Sequence, residues 1–329
     1  MTRGLQLALG HVSVVVALMV ACLGTAHAQL ARIEVHSFGS TTLTDQQILT
    51  GSKEGKPVTL AGELRIPRPG TDRLPAVILV HGSGGISGSV DEWSRQLNSM
   101  GVATFILDSF TGRGITSTVA DQDQLARLAM TIDAYRALEL IAKHPRIDPA
   151  RIAVMGFSRG GQAALYSSLK RLYRMHGPAG GVEFAAYITL YANCGITYVA
   201  DDEISDRPIR MFHGTADDYV PVAPCRAYVE RLRAKGKDVS LTEYADAYHV
   251  FDSPALKTPI KLPQAQTTRG CRLEEAADGR IINSQTKQPF TNAGDPCVEK
   301  GVTVAHNAEA HAQALSAVKD FVGATLKPN

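Results

Sequence analysis

The sequence predicts an α/β protein with a mostly parallel central sheet and helices on both faces. Short continuous apolar runs recur along the chain, including Ala76–Val80, Val102–Leu107, Ala186–Tyr191 and Ile209–Phe212. Runs of that length and continuity suit strands buried on both faces. They alternate with amphipathic stretches of helical period, the pattern of a parallel sheet covered by helices. Several runs also end in glycine-rich polar turns, and in such sheets the working residues sit at the carboxyl ends of strands.

In chain order, Ala31–Phe38 and Val58–Ile66 read as opening strands, the second with a half-exposed alternation. Pro67–Arg73 is a turn-rich link. Asp91–Met100 is expected to be helical, with Trp93 and Leu97 one turn apart and facing the sheet. Asp121–His144 reads as one long amphipathic helix carrying Leu125, Leu128, Ile132, Tyr135 and Leu138 on one face. Pro145 and Pro149 close it before a strand at Ile152–Met155. Val222–Ala234 reads as a helix and Val239–Tyr244 as the last core strand. Residues 254–304 break the rhythm, being polar and without apolar periodicity. That is long for a structureless loop, so a small hairpin-like excursion is expected there. Asn307–Val322 closes the chain as a helix.

The N-terminus is set apart. Arg3, the apolar stretch Leu5–Leu23 and Ala26-His27-Ala28 have the layout of a cleaved secretory leader over residues 1–28. A loose lipid-attachment motif ends at Cys22. Residues 29–329 are then expected to form one domain, exported to the periplasm or beyond, with no membrane span in the mature chain. Four of the five cysteines lie in it: Cys194, Cys225, Cys271 and Cys297. An even number in an exported chain predicts two disulfides; three pairings exist, and chain order favours Cys194 with Cys225 and Cys271 with Cys297. A formal net charge of +2 gives no reason to expect nucleic acid as partner. No H-E-x-x-H or C-x-x-C spacing appears, and neither a metal nor a cofactor is expected.

The chemistry gathers at Arg151–Gly161, which reads R-I-A-V-M-G-F-S-R-G-G. A strand, G-x-S-x-G and then a helix-forming stretch is the setting of a nucleophile elbow, which would hold the Ser158 hydroxyl clear of the backbone at a helix N-terminus. Serine needs a base, and the base an orienting acid. Asp217 follows the strand Ile209–Phe212 in H-G-T-A-D-D-Y-V-P, with Asp218 as its rival; His249 follows the last core strand. The chain order serine, acid, histidine is that of α/β-hydrolases. Oxyanion donors are expected from the backbone N–H of Arg159 and, in H-G-S-G-G after Val80, that of Ser83, with Gly84 as alternative.

These segments, with D-S-F-T-G-R-G after Leu107 and Y-H-V-F-D at 248–252, give the resemblance a name. The chain resembles the α/β-hydrolase superfamily, and within it the dienelactone hydrolase-like family. The resemblance implies that fold, a triad of Ser158, Asp217 and His249, and hydrolysis of a small-molecule ester or lactone through an acyl-enzyme. Dienelactone hydrolase itself is similar to enzymes with a cysteine nucleophile, whereas this elbow carries serine. Arg113 is a candidate for binding a substrate carboxylate, with a structural ion pair, to Asp108 for example, as the alternative. A peptidase or amidase of the same fold and a non-catalytic binding protein are the competing functional readings.

Overall fold

A computed structural model describes residues 30–328. Eight strands make the central sheet: β1 (Arg32–Thr42), β2 (Lys56–Ile66), β3 (Leu74–Val80), β4 (Ala103–Asp108), β5 (Ile147–Phe157), β6 (Ala186–Leu190) and two more. A short β7 (Ile196–Thr197) lies outside it; β8 (Ile209–Gly214) and β9 (Val239–Tyr244) complete it. The order is β1-β2-β4-β3-β5-β6-β8-β9. Pairings from β4 to β9 are parallel, while β1 and β2 join antiparallel at one edge.

The apolar runs are strands because two helical layers cover them. Every residue of β3 is buried, and its side chains alternate between two cores. Val77 and Leu79 pack with Trp93 and Leu97 of α2 (Gly88–Asn98) and with Val318 and Val322 near the C-terminus. Ile78 and Val80 pack with Tyr135 and Leu138, Ala163 and Leu232 on the opposite face. Those belong to α3 (Ala129–Ile141), α4 (Arg159–Tyr166) and α6 (Ala223–Ala234). Two short helices, α1 (Asp45–Thr50) and α5 (Lys170–His176), lie where the sequence reading placed none, and α7 (Ala308–Leu326) ends the chain.

One expected helix is corrected. The stretch read as helical from Asp121 to His144 is helical as α3 only over Ala129–Ile141, after a single 3-10 turn at Gln122–Gln124. Leu125 is extended, with φ −144° and ψ 133°. Tertiary contacts hold it so. The buried Arg159 guanidinium takes the carbonyls of Gln122 and Leu125, and the Asp45 carboxylate accepts from the N–H groups of Arg127 and Leu128. Leu125 and Leu128 are buried all the same, which is why the apolar period ran straight through the break.

The polar stretch after β9 carries β10 (Ile260–Thr267), β11 (Leu273–Glu275), β12 (Ile281–Asn283) and β13 (Glu299–Val304). β10 and β13 pair antiparallel, and β11 bridges β12 and β7. A disulfide joins Cys271 to Cys297, and another ties Cys194, just after β6, to Cys225 in α6. No helix among the described residues is long and apolar enough to cross a membrane. The expected leader and Cys22 lie outside the described residues.

Candidate active site

The elbow is built by close approach. Ser158, between β5 and α4, has φ 53° and ψ −114°, a backbone state that L-residues seldom adopt. A Cβ on Gly156 would stand 1.9 Å from the Gly160 carbonyl oxygen, and one on Gly160 only 2.0 Å from that of Val80. Glycine is obligatory at both, because any side chain would push α4 off the sheet. Ser158 is thereby held at the strand end with its hydroxyl projecting, its own N–H donating to the Leu190 carbonyl at 3.0 Å.

The Ser158 hydroxyl lies 2.9 Å from His249 Nε2, and His249 Nδ1 lies 2.7 Å from Asp217 Oδ2. Asp217 sits just past β8, and its other oxygen accepts from the N–H groups of Tyr219 and Val220 at 3.0 and 2.8 Å. Those bonds fix the carboxylate, so Nδ1–H donates to it and Nε2 is left to accept from the serine. Burial alone would raise the pKa of Asp217; the electrostatic pull of His249 and bonds from His213 and His249 outweigh it and hold the group well below the usual carboxylate range. Its rival Asp218 faces away, accepting from the N–H and hydroxyl of Thr303 at 2.7 and 3.0 Å.

Two tyrosine rings also pack against His249. The rings of Tyr191 and Tyr219 stand 4.6 and 4.8 Å from its own, and Tyr191 is anchored by donating to buried Asp252 at 2.8 Å. Asp252 accepts from Trp93 Nε1 as well, at 2.7 Å. Burial raises its pKa, with these two donors opposing. None of this bracing was expected from sequence. The only signal was the acid itself, three residues past His249, and nothing local says that it supports a tyrosine.

The H-G-S-G-G turn lies against the elbow: a Cβ on Gly82 would come within 3.3 Å of Ser158 Cβ. His81 braces the turn, with Nδ1 at 2.8 Å from the Gly82 carbonyl and Nε2 accepting from the Ser109 N–H at 3.3 Å. Burial lowers its pKa, so it works as a neutral strut. Arg159 opens α4, where a backbone N–H has no intrahelical acceptor. Ser83, Ser158 and Arg159 line one cavity. A second, larger one meets it at Ser158 and is lined by His249 and mostly apolar side chains; Gly84 borders that one.

Arg113 is a correction. Its guanidinium donates to both oxygens of Asp133 at 2.8 and 3.0 Å and to the Ser109 carbonyl, and its side chain is only 4% exposed. It cannot reach out to a substrate, and its partner is Asp133. Asp108 instead accepts from the N–H groups of Phe110 and Thr111. The ion pair is structural, with Asp133 in the place of Asp108. Elsewhere Glu34 meets His36 and His144 at 2.8 and 3.2 Å. His144 Nδ1 accepts from the Arg146 N–H, so Nε2 carries the proton and donates to Glu34. That grouping reads as a hydrogen-bonded cluster in which Arg32 supplies the cation beside Glu34.

The sequence profile of the dienelactone hydrolase family matches residues 62–326. A protein of Methylorubrum extorquens strain AM1, "Putative carboxymethylenebutenolidase", is 25% identical over 218 residues, covering 58% of this chain and 72% of its own. The solved structure of the dienelactone hydrolase-like promiscuous phosphotriesterase P91, from metagenomic libraries, superposes with a TM-score of 0.54 at 17% identity. That match covers 88% of this chain and 98% of P91. A structure named m3DLH gives 0.57 at 20% identity, covering 89% and 98%. At these identities the two structures speak for the fold. The profile match speaks for the family: the chain belongs to the dienelactone hydrolase family, as an ester-bond hydrolase on the α/β-hydrolase fold.

Proposed function

We propose that this chain is an exported serine esterase that works through an acyl-enzyme on Ser158. The observation that carries the reading is the unbroken chain from Ser158 Oγ to His249 Nε2 at 2.9 Å and from His249 Nδ1 to Asp217 at 2.7 Å. His249 takes the serine proton as Oγ bonds to the ester carbonyl carbon. The backbone N–H groups of Ser83 and Arg159 receive the oxyanion. Collapse breaks the carbon–alkoxy bond, and the alcohol leaves with the proton from His249. Water, deprotonated by the same imidazole, then releases the acid and restores Ser158.

Export rests on the leader-like residues 1–28 and agrees with the two disulfides, which persist in oxidising compartments. N-terminal sequencing of the periplasmic protein should begin at Gln29. Mechanism is tested by rapid quench with 4-nitrophenyl acetate. A burst of nitrophenol with one acetyl group mapped to Ser158 is expected, together with negligible turnover of the matching anilide. Steady turnover with the acetyl group on another residue, or with none at any time, overturns the mechanism.

A further inference from the structure

Two cavities of opposite character meet at Ser158, and the proton path says which half of a substrate belongs in each. The larger is walled by Val90, Val119, Phe157, Leu256, Leu262 and Val304. The smaller is walled by Gln122, Arg127, Arg159, Gln162, Asn193 and Gln266, among other polar groups. His249 lines only the larger one. A leaving alkoxide must take its proton from His249 Nε2, so the alcohol half departs on the apolar side. The acyl half stays bonded to Ser158 and extends into the polar side.

The polar side offers donors with too few acceptors. No aspartate or glutamate lines it. The Arg127 guanidinium donates to Asn292 Oδ1 at 2.5 Å and lies 4.9 Å from the Phe290 ring, with no carboxylate at ion-pair distance among the described residues. Arg159 is buried. Its guanidinium meets only neutral oxygens of Thr118, Gln122 and Leu125, and its Nε has no partner among the described residues. Burial first, then the neighbouring Arg127 charge, brings its pKa down to about 10, so it is still a cation at neutral pH. Gln162 is 4% exposed, and its Nε2, beside the buried Tyr198 hydroxyl, has no well-formed hydrogen bond among the described residues. The nearest acids are already engaged: Asp45 with the N–H groups of Arg127 and Leu128, Asp123 with Asn292 and Ala293. A buried cation, a half-buried one and their unfilled donors favour a guest that brings acceptors.

We propose that the substrates are esters divided in polarity at the scissile bond: a compact acyl group whose far end is a carboxylate or carbonyl, joined to an extended apolar alcohol. This rests on Ser158 being the nucleophile. In acylation the Ser158 Oγ–acyl bond forms as the acyl–alkoxy bond breaks, and the serine proton leaves on the alcohol by way of His249. Arg127, Arg159 and Gln162 hold the acyl terminus throughout, while the apolar cavity empties to admit water.

Two isomers with the ester reversed test this. In hexyl hydrogen succinate the carboxylate is on the acyl side; in 3-(heptanoyloxy)propanoic acid it is on the alcohol side. The first should be favoured in kcat/KM by about tenfold or more, because the second places a carboxylate among aliphatic walls. Hexyl 4-oxopentanoate against hexyl pentanoate separates a neutral acceptor from none, and the oxo ester should be the better substrate. In Arg127→Gln the preference for hexyl hydrogen succinate over hexyl pentanoate should shrink by about tenfold. Fluorophosphonate labelling and 4-nitrophenyl acetate turnover are run beside every assay. Labelled, active protein that treats the isomers alike, or prefers the second, overturns the division while leaving the serine mechanism standing. Folded protein that neither labels nor turns over ester overturns both.

Discussion

Asp217→Asn isolates the orienting charge from the rest of the site. The new amide can keep its oxygen on the Tyr219 and Val220 N–H groups, now bonded at 3.0 and 2.8 Å. Its NH2 then faces His249 Nδ1, which must accept, and the imidazole proton moves to Nε2, opposite the serine. That tautomer is no base. Turning the amide to restore the tautomer would aim NH2 at two buried N–H groups, forfeiting two hydrogen bonds at about 1–3 kcal/mol each. That is about 2–6 kcal/mol, or roughly 1.5 to 4 decades of rate at 1.36 kcal/mol per decade. Losing the negative charge beside the imidazolium adds to it, so kcat for 4-nitrophenyl acetate should fall by about 10³–10⁴ with KM little changed. Asp218→Asn, whose side chain bonds Thr303 and not the imidazole, should stay within about threefold of wild type. Stability supplies a second readout. The folded pKa of Asp217 lies below its unfolded value of about 3.9, so its stabilisation is complete above that pH and is lost as pH falls toward the folded value. The gap in unfolding free energy between wild type and Asp217→Asn should therefore narrow below about pH 4. A kcat loss under tenfold in Asp217→Asn, or an equal loss in Asp218→Asn, would refute this reasoning.

Three further outcomes follow from the packing. Gly160→Ala sets a methyl 2.0 Å from the Val80 carbonyl and 2.4 Å from that of His81, so a loss of about 3 kcal/mol or more is expected in urea unfolding, or no folded protein at all. Arg113→Met strands the fully buried Asp133 and should destabilise by about 3–5 kcal/mol, while KM across the ester panel stays flat; a selective rise in KM for carboxylate-bearing esters would restore Arg113 to substrate binding. Reduction should lower the melting temperature, since each disulfide closes a loop of 31 or 26 residues and stabilises by about 2–4 kcal/mol. Calorimetry with and without reductant checks this, and an unchanged melting temperature in fully reduced protein would contradict it.

The sequence was most legible where local pattern and tertiary demand agree. The buried strand β3 shows as a continuous apolar run and the half-exposed β2 as an alternating one, and the elbow glycines announce a close approach that the 1.9 and 2.0 Å clearances explain. Order along the chain is enough to bring Ser158, Asp217 and His249 together, since each follows the carboxyl end of a parallel strand of the central sheet. What was missed depends on distant partners. Arg159 was chosen for its backbone N–H, yet its side chain pins the 118–125 segment and ends the supposed long helix. Arg113 sits in a motif by the site, but Asp133, twenty residues on, turns it inward. The helix α1 did carry a local signal, the capping box of Thr44 and Gln47, which a search for long apolar periods passes over. In residues 254–304, β10 and β13 are joined across a register shift, and no regular alternation could survive it.

The most direct test of the central claim is fluorophosphonate labelling of the folded, oxidised protein and of Ser158→Ala, followed by peptide mapping. One label on Ser158 is predicted, with labelling and 4-nitrophenyl acetate turnover lost together in the variant. Wild-type protein that turns over ester without taking the label, or a Ser158→Ala variant that labels and turns over as well as wild type, would contradict it.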